Sequence, residues 1–128
     1  MRRLLPVFLL LIAGIAAFAA RPEYVSLRHW VEKQNPNDKT PAQERIFVNG
    51  DWKESAIVRC HNGMTLQEVF YQTKLKGKFV LIYRSGHKPA GEPVYNEADA
   101  DIVPNRKSII VQPLDVIYLW NGKDGKRN

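Results

Sequence analysis

Cysteine is almost absent from this chain of 128 residues: Cys60 is its single thiol, so no internal disulfide can form. A fold without that cross-link must be held by its hydrophobic core. Histidine is scarce as well, and His29, His61 and His87 stand too far apart for the close ligand spacing that marks a metal site. There is no serine-centred nucleophile elbow, no zincin motif and no phosphate-binding P-loop. These absences point away from a catalytic set, a metal or a cofactor. Basic residues outnumber acidic ones 19 to 13, yet no dense arginine or lysine block occurs, so nucleic acid is not the expected partner.

What is present begins with "MRRLLPVFLLLIAGIAAFAARPEY", in which two arginines precede an apolar run from Leu4 to Ala20 broken by Pro6 and Gly14. Ala17 and Ala19 complete an A-x-A site, which predicts a signal peptide over residues 1–19 with cleavage after Ala19. The apolar run falls short of the roughly 20 residues that a spanning helix needs. Contact with a membrane is therefore expected only through this segment, and only where it is retained. The remainder is expected to be an exported protein, periplasmic or extracellular. It keeps 17 basic against 13 acidic residues, a net of +4, because Arg2 and Arg3 leave with the signal. Such a surplus suits an anionic glycan or a membrane surface.

The stretch "VRCHNGMTLQEVF", Val58 to Phe70, sets Cys60, His61 and Asn62 side by side, the residue types of a thiol protease. A working dyad needs the imidazole within hydrogen-bond reach of the sulfur, and neighbours along a strand point to opposite faces. Thr65 followed by Glu68 reads instead as a capping box, with Met64 and Val69 as its hydrophobic staple. The expectation is a strand, an Asn62-Gly63 turn and a helix, with Cys60 in the core and His61 in the loop. An enzyme with Cys60 as nucleophile is the opposing functional class.

Residues 20–44 read as an N-terminal arm. Tyr24, Leu27, Trp30 and Val31 are spaced for a short amphipathic helix, and "PNDKTPAQE" forms a linker. Trp30 is expected to dock on the domain that follows. That domain spans residues 45–121. It opens with a hairpin of Ile46–Val48 and Ser55–Cys60 about an Asn49-Gly50 turn. A helix over Leu66–Lys74 follows, turning Leu66, Val69, Phe70 and Thr73 inward and closed by a left-handed Gly77. "KFVLIYR" is apolar on both faces and predicts an interior strand. "SGHKPAGEP" is a loop, "YNEADAD" a helical turn, and "KSIIVQPLDVIYLW" two strands about a tight turn at Gln112-Pro113-Leu114-Asp115. Residues 122–128 are expected to form a flexible tail.

This order, ββαββ, resembles the β-grasp (ubiquitin-like) superfamily. The resemblance implies an α+β mixed sheet whose first and last strands lie parallel at the centre, with one main helix packed on one face. Within it, "TLQEVF", "VLIYR" and "QPLDVIYL" resemble the soluble ligand-binding β-grasp (SLBB) domains of polysaccharide-export proteins. Leu114 stands where those domains carry a glycine. "FVNGDW" and "IVPNRKSIIVQPLDVIYL" resemble the sulfur-carrier proteins, whose chemistry needs a terminal Gly-Gly; here the sequence reads "NGKDGKRN", and carrier function is not expected.

Candidate binding residues are the aromatics Trp52 and Trp120 and the cations Lys74, Lys76 and Lys78. Rings beside basic groups suit sugars with acidic substituents, since C–H faces stack on the rings and the charge holds carboxylates. The expected function is an exported, non-enzymatic module that binds an envelope glycan. The alternative is a protein–protein assembly module of the cell envelope.

Overall fold

Strands that are apolar on both faces require cover on both faces, and two helices supply it here. The computed structural model describes residues 23–88, 91–97 and 106–121. The expected signal peptide over residues 1–19, its cleavage site and the expected tail over 122–128 lie outside the described residues. In chain order the elements are α1 (Tyr24–Gln34), β1 (Arg45–Gly50), β2 (Glu54–Arg59), α2 (Leu66–Thr73), β3 (Phe79–Tyr83), β4 (Tyr95–Asn96) and β5 (Val116–Trp120). The sheet order is β2-β1-β5-β3-β4. β1 and β5 are parallel at its centre, and the other neighbours are antiparallel. This five-stranded mixed sheet with a packed helix is compatible with a β-grasp-like α+β fold, although the strand order is only partly ubiquitin-like.

Alternation along the strands divides the interior into two clusters. Ile46, Val48, Val80, Ile82, Ile117 and Leu119 face α2 and pack with Met64, Leu66 and Val69. Phe47, Leu81, Tyr83, Val116 and Tyr118 face the other way and pack with Leu27 and Val31 of α1. Leu27 and Val31 are fully buried, each stabilising by about 1.5–3 kcal/mol. Trp30 packs at the margin of the same cluster. The segment read from sequence as an arm thus carries the helix that covers the sheet's second face.

α2 starts as its sequence predicts. The Thr65 side chain accepts from the Glu68 backbone N–H at 3.2 Å, and the Thr65 N–H donates to the Glu68 carboxylate at 3.2 Å. Its end differs from the expectation. Lys74, not Gly77, takes the left-handed conformation, with φ 63°, and its N–H donates to the Phe70 carbonyl. Gly77 is small for another reason: a Cβ there would come within 2.7 Å of the Leu119 Cβ, so it lets the chain pass against β5.

Three other expectations are corrected. Asn49 and Gly50 belong to β1, and the hairpin reverses at Asp51 and Trp52, with φ 55° and 60°. Asn49 directs that reversal through its side-chain oxygen, which accepts from the Trp52 N–H at 2.8 Å. Ile109–Val111 forms no strand beyond a single bridge from Ile110 to Thr65. Both sides of β5 are already occupied, so this run instead straps the start of α2, with Leu66 N–H donating to the Ile109 carbonyl and Val111 N–H to the Met64 carbonyl. Tyr95–Asn96, expected in a helical turn, forms β4 on the free side of β3, and the rest of "YNEADAD" after Glu97 lies outside the described residues.

The turn before β5 forms as expected. Leu114 has φ 73°, a conformation that glycine adopts without strain. Asp115 is fully buried and accepts two bonds from Arg84 at 2.9 Å and one from the Gln112 N–H at 2.8 Å. The aspartate of this turn therefore holds the turn to β3.

Candidate binding groove

The left-handed turn at Lys74 directs the chain away from α2 and leaves a groove of about 460 Å³ at the helix end. Its walls are Phe70, Tyr71, Lys74, Leu75, Lys76, Gly77 and Arg106. Phe70 and Tyr71 come from the last turns of α2, and Tyr71 is 76 % exposed. The Lys74 Nζ lies 4.9 Å from the Tyr71 ring centroid, and the Arg106 guanidinium 5.0 Å from that of Phe70. Cations in these positions are held by the negative face of the ring.

The three cations are not equivalent. Arg106 donates to both oxygens of the buried Glu97 carboxylate, at 2.8 and 2.7 Å, and Tyr95 donates to the same group at 2.8 Å. The hydrogen bonds to Glu97 raise the Arg106 pKa further above its ordinary value, and burial together with the bond to Glu97 raises that of Tyr95. Arg106 therefore builds the wall while its charge is balanced by Glu97. Lys74 and Lys76 are exposed and have no carboxylate partner among the described residues. They carry the net positive charge of the groove.

The sequence-predicted binding residues divide between two faces. Lys74 and Lys76 line the groove beside α2. Trp52 and Trp120 lie on the α1 side, Trp52 against Trp30 and Tyr118 and Trp120 against Phe79. Lys78 bridges these regions. It follows Gly77 of the groove, and its Nζ lies 5.5 Å from the Phe79 ring centroid. Arg106, Phe70 and Tyr71 were not singled out as binding residues by sequence. Arg106 follows the long connection after β3, and no local pattern ties it to α2.

Cys60 and His61 follow the end of β2 but do not form a dyad. The Cys60 thiol donates to the His61 carbonyl at 3.6 Å, whereas the His61 ring engages the Asn62 carbonyl at 3.1 Å and the Glu68 carboxylate at 2.9 Å. Burial, followed by the charge of Asp115, raises the Cys60 pKa, which disfavours thiolate. Cys60, expected in the core, is only half-buried and packs at the margin of the α2-side core, whereas His61 is exposed in the turn, as expected. Among the described residues no group of three histidine, cysteine or carboxylate side chains is placed to hold a metal ion.

No protein-family model matches the chain, and comparison with curated proteins finds no match.

Proposed function

We propose that this protein is an exported, non-enzymatic module that binds an acidic glycan of the cell envelope, in the manner of the SLBB domains its sequence resembles. The observation that carries the reading is the groove at the end of α2, where unbalanced Lys74 and Lys76 border the rings of Phe70 and Tyr71. Sugar C–H faces stack on such rings, and carboxylates meet the ammonium groups. The left-handed Leu114 supports the comparison with SLBB domains, because a glycine in that turn would serve the same geometry. The signal-like start supports the address, and mass spectrometry of exported protein beginning at Ala20 tests it.

The binding test uses hyaluronan tetrasaccharide, which alternates uronate with uncharged sugar. In calorimetry the full chain binds it, and the double variant Lys74→Ala/Lys76→Ala weakens binding about tenfold, taking about 0.7 kcal/mol for each exposed charge contact. Added salt weakens the wild type further and affects the variant less. Binding unchanged by the double substitution overturns the reading.

A further inference from the structure

We propose that the turn between β2 and α2 is a site of self-modification, at which the Asn62-Gly63 pair loses ammonia to form a cyclic imide, with His61 promoting the step. The chemistry is covalent and needs only water. The Gly63 backbone nitrogen gives up its proton to solvent and attacks the Asn62 Cγ; the bond from Cγ to the side-chain nitrogen breaks, and ammonia leaves with a proton taken from solvent. Water then opens the imide at either carbonyl. Breaking the new Cγ–N bond leaves aspartate, whereas breaking the original peptide bond leaves isoaspartate, with an extra methylene in the backbone. Water is consumed and ammonia released, and nothing is oxidised or reduced.

The turn leaves the attacking nitrogen free. Asn62 and Gly63 are both exposed, and the Asn62 carboxamide makes no hydrogen bond to a described residue. The turn is closed by the Met64 N–H, which donates to the His61 carbonyl at 3.1 Å across the pair, while the Gly63 N–H has no acceptor among the described residues. Gly63 has φ 81°, and a Cβ added there would meet nothing within 4 Å.

His61 acts on the same peptide. Its Nδ1 lies 3.1 Å from the Asn62 carbonyl oxygen, and because a carbonyl only accepts, Nδ1 carries the proton. That oxygen and the Gly63 nitrogen belong to one amide, so a donor on the oxygen stabilises the negative charge that the amide takes on as the nitrogen is deprotonated. On the other side of the ring the Glu68 carboxylate meets Nε2 at 2.9 Å, which raises the His61 pKa and favours the ring that donates from both nitrogens. The ring beside Cys60 thus serves the peptide that follows it.

Asn49-Gly50 has the same two residues in a protected setting. Asn49 is fully buried in β1, and its side-chain oxygen accepts from the Trp52 N–H at 2.8 Å. Gly50 is paired to both β2 and β5, so attack there requires the sheet to open. A third pair, Asn121-Gly122, runs out of the described residues. At Asn62 the product adds a carboxylate beside Glu68, just ahead of the capping box and at the opposite end of α2 from the groove. A change of charge therefore accumulates there as the protein ages.

The test follows each asparagine separately. The full chain is kept at neutral pH for several weeks, folded or in urea, and peptide mapping by mass spectrometry reads the gain of about one dalton at each site. In the folded protein Asn62 should convert at least about tenfold faster than Asn49, whereas in urea the two rates should be similar, because only the sheet protects Asn49. His61→Phe should slow Asn62 by about threefold or more in the folded protein and leave Asn49 unchanged, with the urea midpoint checking that the variant is folded. The sign of this effect is decisive. If His61 only braced the turn, removing it would loosen the turn and speed conversion; a faster or unchanged rate overturns its part in the step. Conversion of Asn62 no faster than that of Asn49 in the folded chain overturns the site.

Discussion

Comparing glycine with alanine at position 74 tests both the end of α2 and the origin of the groove. Inside a helix, alanine is the better residue by about 1 kcal/mol. At Lys74 the order should reverse. An L-residue held at φ 63° bears roughly 1–2 kcal/mol of steric cost, which glycine avoids. Glycine in turn loses more freedom on folding, by about 0.5–1 kcal/mol. The difference leaves Lys74→Gly about 0.5–1 kcal/mol more stable than Lys74→Ala. Both substitutions remove the same ammonium and the same contact to Tyr71, so helix-dipole and ring terms cancel between them. In urea denaturation, with a slope of about 1 kcal/mol per molar for a domain of this size, the glycine midpoint should lie about 0.5–1 M higher. The two variants should nevertheless be equally weakened toward hyaluronan tetrasaccharide, because they lack the same charge. Equal midpoints, or a more stable alanine variant, would refute the left-handed exit and the groove geometry that depends on it.

Thr65→Ala should destabilise by about 1 kcal/mol in the same denaturation assay, since it removes the acceptor for the Glu68 N–H; no change would sink the capping-box reading. The His61–Glu68 contact predicts a pH dependence of defined sign. The bond to the Glu68 carboxylate raises the His61 pKa above its ordinary 6.5, so its contribution is full below that pH and is lost as pH rises through the folded value. Hydrogen bonding to His61 lowers the Glu68 pKa below 4.5, so that contribution is present above pH 4.5 and is lost as pH falls through the folded value. The stability difference between wild type and His61→Gln should therefore be largest near pH 5.5 and smaller at pH 9, and urea midpoints at the two pH values check it.

The strands were legible because burial on both faces leaves continuous apolar runs, as in "FVLIY" and "VIYLW". The start of α2 was legible because Thr65 and Glu68 act over one turn of chain. Gly77 misled because glycine answers two different demands, a positive φ and a close approach, and sequence does not say which applies. Ile109 to Val111 misled for a related reason: β propensity describes a residue's fit to a sheet, not the availability of a free edge. Of the site, the lysine strip was visible as local composition. The pairing of Arg106 with Glu97 and its seat over Phe70 were not, because they depend on where a distant segment returns. The division of the tryptophans and lysines between two faces follows from the crossing at Gly77, which only the fold reveals.

The parallel pairing of β1 with β5 also sets a timetable for the chain. Phe47 faces Val116 across the sheet, 69 positions later in sequence. β5 is the central strand joining the β1–β2 pair to the β3–β4 pair, and among the described residues it is the last strand in chain order. Until Val116 to Trp120 is available, the inner edges of β1 and β3 have no neighbour, and the two halves cannot share a core. Such long-range closure slows folding. A chain of this kind stays open until β5 is available, whatever the order in which its other elements form. For the same reason, losing a few residues from β5 should prevent folding altogether instead of trimming an end.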